Sequence, residues 1–332
     1  MNGIMSETRC NRLAIDDVPF RLADFERQGT GATQSLFKGG TFYGLAAAQM
    51  ISLLKRFALL TLIAMSSGCA SLVGSVTSGI ADRLSSAILN SPDIETVKEA
   101  IPAYLVLIDG FLVDGEGDPS LYLAASQLNG AFTALVEEER AQILATKAFD
   151  YAQRGACLNR RELCGLGQLP FKSFETRVDG LSAQAIDPAY QLAVAWTGYI
   201  QANSGDMRAI GQLGRVKYLL ERVLALDPRW ADGSAQLYMG GLETILPASM
   251  GGKPEKGRMH FERAIEYSDG RFLMAKVIYA EQYAKLVFDK ELHDRLLTEV
   301  VNADPVAMDL TLINRVAQRR AAVLLAGSDE YF

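Results

Sequence analysis

A helix closed by Asp-Pro, or by a near relative of that pair, recurs at almost constant spacing through residues 219–305, and no other feature restricts the fold of this chain as strongly. Leu220-Glu221-Arg222-Val223-Leu224-Ala225-Leu226-Asp227-Pro228 is followed by Phe261-Glu262-Arg263-Ala264-Ile265-Glu266-Tyr267-Ser268-Asp269, and then by Leu297-Thr298-Glu299-Val300-Val301-Asn302-Ala303-Asp304-Pro305. The register steps by 41 from Glu221 to Glu262 and by 36 from Ser268 to Asp304, and Asp187-Pro188 lies 40 before Asp227-Pro228. No reacting group recurs with this period, so what repeats is packing.

The apolar residues of one unit fall at 216, 219, 220, 223 and 224, a single helical face. The preceding segment, Tyr190 to Asn203, offers Leu192, Trp196, Tyr199 and Ile200 at the same period, with Asp187 expected as N-cap and Pro188 in the first turn. Two such helices make a hairpin that cannot bury both its faces alone, so neighbouring hairpins must stack. Tetratricopeptide units, about 34 residues of paired helices, are the shorter relatives of such a unit. The expected fold is all-α, a solenoid of tetratricopeptide-like helical hairpins.

Residues 1–49 carry no sustained periodicity. The text changes at Met50-Ile51-Ser52-Leu53-Leu54-Lys55-Arg56, a short basic stretch followed by the apolar run Phe57 to Met65. That run has the length of a signal-peptide core and falls short of the roughly 20 residues that span a bilayer. Ser66-Ser67-Gly68-Cys69 then resembles a bacterial lipobox, with Ser66 where the pattern prefers Leu. The expected organisation is an upstream extension at 1–49 with Met50 as the initiator, a lipoprotein signal peptide at 50–68, a tether and first helix at 69–93 anchored through a lipidated Cys69, and the helical domain at 94–332. Ala70 and Ser71, with no Asp after the cysteine, resemble lipoproteins sent on to the outer membrane of a Gram-negative envelope, facing the periplasm.

The whole chain holds 33 basic and 39 acidic groups; without residues 1–68 these become 26 and 34, a net charge of −8. Nucleic acid is a poor partner for such a surface, because phosphate binding needs clustered Lys and Arg. Of the four cysteines, Cys10 is lost upstream and Cys69 is lipidated, which leaves Cys157 and Cys164 as a pair in an oxidising compartment. A disulfide between them is the expectation, two free thiols the alternative. His260 and His293 are the only histidines, and neither has the neighbours of a zinc site or of a general-base pair. Gly251-Gly252-Lys253 lacks the spacing of a phosphate loop and has no strand before it; it is expected to end one helix in left-handed conformations before Pro254 and Glu255 open the next. Catalytic residues, a metal and a cofactor are therefore not expected.

The run Leu246-Pro247-Ala248-Ser249-Met250-Gly251-Gly252-Lys253-Pro254-Glu255-Lys256-Gly257-Arg258-Met259-His260-Phe261-Glu262-Arg263-Ala264-Ile265 resembles the TatT family, the tetratricopeptide lipoproteins associated with TRAP transporters. So do Leu273-Met274-Ala275-Lys276-Val277, Asp289-Lys290-Glu291-Leu292-His293 and the C-terminal Asp329-Glu330-Tyr331-Phe332. The resemblance implies a non-enzymatic, all-helical, lipid-anchored periplasmic protein, often a homotrimer. It also implies pairing with a periplasmic substrate-binding protein that captures a small organic ligand, hydrophobic or carboxylate. A generic tetratricopeptide scaffold of another envelope complex would share every repeat feature.

In a solenoid of hairpins the first helices line the inner surface that such proteins use for binding. Here they carry Trp196, Tyr199 and Asn203 at i, i+3 and i+7, then Tyr238, then Lys276, Tyr279 and Tyr283 at the same intervals. Aromatic bodies with polar tips suit an amphipathic ligand, and Lys276 suits its carboxylate. Aromatics at helical spacing also build cores between units, and the residues alone leave the two roles open.

Overall fold

The computed structural model describes residues 86–332, apart from 114 and 116 and the side chain of Met250. The extension, the signal segment and Cys69 lie outside the described residues. Every regular element among these residues is helical.

Helix α1 (Ile94–Leu112) starts at Asp93, whose carboxylate accepts from the N–H groups of Glu95 and Thr96 at 3.0 and 3.1 Å. Helix α2 (Pro119–Phe132) uses the Asp-Pro pair as a start signal: Asp118 accepts from Ser120 N–H at 2.8 Å and Pro119 needs no partner in the first turn. Helices α3 (Glu138–Asn159) and α4 (Phe171–Asp179) follow. Helix α5 (Ile186–Ala202) departs from expectation at its start. A 3-10 turn at Ala183–Ala185 runs straight into it, so Asp187 is already helical and caps nothing; its carboxylate instead accepts from Gln191 Nε2 at 2.9 Å.

Helix α6 (Leu213–Leu226) buries Val216, Leu219, Leu220 and Val223, four of the five residues of the periodic stripe, with Leu224 partly buried beside them. At its end Asp227 accepts from Arg229 N–H at 2.9 Å, the turn that an Asp before Pro favours. Helices α7 (Ser234–Thr244) and α8 (Pro254–Tyr267) come next, and α8 ends in left-handed Asp269 and Gly270. Helix α9 (Leu273–Ile278) continues into a π-helical turn at Tyr279–Ala284. Helix α10 (Lys290–Asn302) closes at Asp304, which accepts from Val306 N–H at 2.9 Å, and α11 (Thr311–Ala326) leads to the short C-terminal turn Ser328–Tyr331. The three recurrent segments thus end three helices of nearly equal length, two of them with the same Asp turn.

Packing runs along the chain: α2 on α3, α3 on α5, α5 on α6, α6 on α7, α7 on α8, α8 on α9 and α10 on α11. Asn314 fastens the last of these. Fully buried, it accepts from Leu273 N–H at 3.0 Å and donates to the Arg271 and Pro305 carbonyls at 2.9 and 3.2 Å, which satisfies three backbone groups at the start of α9 and the end of α10. Helix α11 then returns to α1. Arg319 pairs with Glu95 at 2.8 Å, Asn90 and Asp309 exchange hydrogen bonds at 2.9 and 2.8 Å, and Leu312 packs on the cluster of Val97, Ile101 and Leu105.

Candidate functional site

The segment 246–265 folds as a packing seam before it is anything else. Gly251 is left-handed, as expected of the residue that turns the chain out of one helical segment. Gly252 is not, and its small size is needed for another reason: a Cβ there would lie 1.6 Å from the Leu246 carbonyl oxygen. Its own N–H donates to Pro247 O at 3.1 Å, and the next N–H, of Lys253, reaches Glu243 O at 3.0 Å. Pro254 opens α8, and Gly257 lies against Thr244 and the Gly240 carbonyl. Phe261 covers Gly240 so closely that a Cβ on that glycine would be 2.7 Å from its ring. The absence of a side chain at Gly240 thus lets α8 approach α7 closely.

With Gly257, Phe261 and Ala264 directed into α7 and the core, the remaining faces of α8 are fixed. His260 turns to Gln236, 2.6 Å from its Oε1, where burial first and the Arg263, Lys256 and Lys217 charges next lower its pKa to about 4. Glu255 accepts from the Tyr283 hydroxyl at 2.8 Å. Arg258, Glu262 and Ile265, at i, i+4 and i+7, form one wall of a cleft of about 490 Å³. Helix α10 supplies the facing wall with Glu291, Leu292, Arg295, Leu296 and Glu299, and α9 with the π turn that follows it supplies the floor with Lys276 and Tyr279.

The walls mirror each other. Arg258 pairs with Glu262 at 2.9 Å, and Arg295 with Glu299 at 3.5 Å, each one helical turn along its own helix. The floor joins them: Lys276 Nζ donates to the second oxygen of Glu299 at 2.8 Å, and the Tyr279 hydroxyl donates to Glu262 at 3.3 Å. Burial, then the Glu262 charge, pushes the Tyr279 hydroxyl well above its ordinary pKa, so it stays a donor. The π turn begins at this tyrosine, a departure from α geometry that is frequent where side chains are aimed at a site.

The residues expected to line one inner surface separate into three groups. Trp196 is 2% exposed and belongs to the core, stacked on Phe149 at 5.4 Å. Tyr199 stacks on the same ring at 5.1 Å, while Asn203 caps α5, donating to the Tyr199 carbonyl and accepting from Gln142, both at 2.9 Å. Tyr238 meets Tyr190 edge to face at 6.3 Å. Only Lys276 and Tyr279 reach the cleft. Tyr279 is 4% exposed and stacked on Phe261 at 5.3 Å, and Tyr283 lies behind it, 5.4 Å away. Lys276 therefore meets a carboxylate of this chain where a ligand carboxylate was expected.

Sequence reasoning passed over both walls of the cleft, including its paired charges Arg258, Glu262, Arg295 and Glu299. Two Arg-x-x-x-Glu pairs on consecutive units would have signalled them. Elsewhere, Cys157 and Cys164 are joined by a disulfide between the end of α3 and the following 3-10 turn. Among the described residues there is no cluster of three or more His, Cys, Asp or Glu side chains able to hold a metal ion, and no helix long and apolar enough to cross a membrane.

Helices stacked in chain order, a glycine seam and a polar cleft between two of the last helices define the class: an all-helical protein built by helix pairing. The family model described as TRAP transporter T-component matches residues 90–332. The chain belongs to that family, whose members are accessory components of TRAP transporters. Among curated proteins, none matches it.

Proposed function

We propose that this protein is a non-enzymatic accessory lipoprotein of a TRAP-type solute uptake system, held by a lipidated Cys69 on the periplasmic side of the outer membrane. Its helical hairpins form a tetratricopeptide-like solenoid that receives a periplasmic substrate-binding protein, and the cleft floored by Lys276 and Tyr279 is its site for a small organic ligand. The homotrimer that the resemblance implies belongs to the same proposal. One observation carries it: the family match spans nearly all of the described helical domain, and it includes the segment 246–265, which supplies Arg258, Glu262 and Ile265 to a wall of the cleft.

Uptake tests this. A strain lacking the chain is expected to lose accumulation of the solute served by its TRAP permease, with unrelated uptake intact. Unchanged accumulation of every solute carried by that permease would assign the chain to another envelope complex as a general helical-repeat scaffold.

A further inference from the structure

The lining of the cleft restricts what it can hold. Its cations are Arg258, Lys276 and Arg295; of its carboxylates, Glu262 is paired with Arg258 and Glu299 with Lys276 and Arg295, Asp289 caps α10 through Leu292 N–H at 2.9 Å, and Glu291 completes the lining. A wholly apolar solute would strip water from all of these groups and offer nothing in return, a loss that the short apolar strip of Ile265, Leu292 and Leu296 does not offset. A lone carboxylate can take Lys276, because Glu299 binds Lys276 and Arg295 through different oxygens and keeps Arg295 when Lys276 turns away. It then lies in a cleft that also presents Glu291, whose charge repels it. A lone cation meets the reverse difficulty at Arg258 and Lys276.

A molecule bearing both charges satisfies both sets. We propose that the cleft takes a zwitterionic, amino-acid-like solute, its carboxylate on Lys276, its cationic nitrogen on Glu262, and its carbon chain along Ile265 and the Tyr279 ring. Exchange of one ion pair for another leaves few charges unpaired, which is why two opposite charges bind where one does not. The Tyr279 hydroxyl, donating to Glu262 at 3.3 Å, holds that carboxylate at the floor of the cleft. This deepens the proposed function and rests on the cleft being its ligand site.

The test is calorimetric titration of the purified full chain with γ-aminobutyrate, δ-aminovalerate and ε-aminocaproate, each compared with the carboxylate or amine that lacks one charge: butyrate, valerate, caproate and butylamine. At least one zwitterion is expected to bind at least about tenfold more tightly than its singly charged counterparts, a tenfold change corresponding to about 1.4 kcal/mol. Lys276→Met and Glu262→Gln are each expected to lose that preference while the circular dichroism stays helical. Arg295→Gln, at the exposed rim, serves as a second variant if Lys276→Met unfolds, and is expected to weaken zwitterion binding severalfold. Caproate bound more tightly than ε-aminocaproate, and lost in Lys276→Met, overturns the zwitterion and keeps the cleft as a ligand site. Binding of no zwitterion in the series overturns the inference as well, and co-purification of a substrate-binding protein with the same sample then shows that the accessory role survives without it.

Discussion

Lys276 Nζ lies 2.8 Å from Glu299 Oε2, bridging α9 to α10 across the floor of the cleft, with the lysine side chain only 20% exposed. Partial burial makes this pair worth more than an open surface pair, and Arg295 on the other oxygen limits the damage when the lysine is removed. A double-mutant cycle with Lys276→Met and Glu299→Gln is expected to give a coupling of about 0.5–1 kcal/mol in urea unfolding. Additive effects of the two substitutions would show that the bridge is not formed in solution.

Two glycines in different settings predict substitutions of opposite sign. Gly252→Ala places a methyl group 1.6 Å from the Leu246 carbonyl oxygen, so the loop must move and its hydrogen bonds to Pro247 and Glu243 must stretch. We expect a loss of about 3 kcal/mol. Gly198→Ala, in the middle of α5 with open space where its Cβ would stand, is expected to gain about 0.5–1 kcal/mol from helix propensity. Thermal unfolding of both variants checks the pair.

Much of this architecture is legible in the sequence, and the rest is hidden for identifiable reasons. Asp227 and Asp304 end their helices as their spacing indicates, because an Asp before Pro makes its turn locally, with partners two residues away. Asp187 misleads because the 3-10 turn before it already supplies helical geometry, which the Asp-Pro pair cannot reveal. The return of α11 to α1 is invisible, since Asn90 and Asp309 are 219 residues apart and carry no pattern that links them. Lys276 and Tyr279 could be placed on one helical face, but Glu299 as the partner of that lysine depends on how two hairpins cross. Trp196 has the same spacing signal as the cleft residues and lies in the core, because periodicity reports a buried face and not what buries it.

His260 gives the molecule a pH dependence. Its pKa is lowered to about 4 in the fold and returns to about 6.5 on unfolding, so the unfolded chain binds a proton that the folded chain refuses between those values. The stability this neutral imidazole contributes is complete above pH 6.5 and is lost as pH falls toward 4. Because the ring is only partly buried, the loss is expected to be ~1–2 kcal/mol, less than the full shift implies. The melting temperature of His260→Gln should fall less steeply over that range than the wild type; parallel curves would remove His260 as the cause.

The Cys157–Cys164 link closes a loop of seven residues in sequence separation and is expected to contribute about 2 kcal/mol. Thiol labelling of the unreduced, denatured mature protein should find neither cysteine reactive, and Cys157→Ser with Cys164→Ser should keep the helical spectrum while melting several degrees lower. Two labelled thiols would show that the pair is reduced in the mature protein.

The central claim is that this chain serves a TRAP system by holding its substrate-binding protein. It is tested most directly by quantitative mass spectrometry of what accompanies the tagged full-length chain out of detergent-solubilised membranes. The account predicts a periplasmic solute-binding protein of the TRAP type, recovered in near-stoichiometric amount. Stoichiometric recovery of a different envelope complex, with no solute-binding protein present, would contradict it.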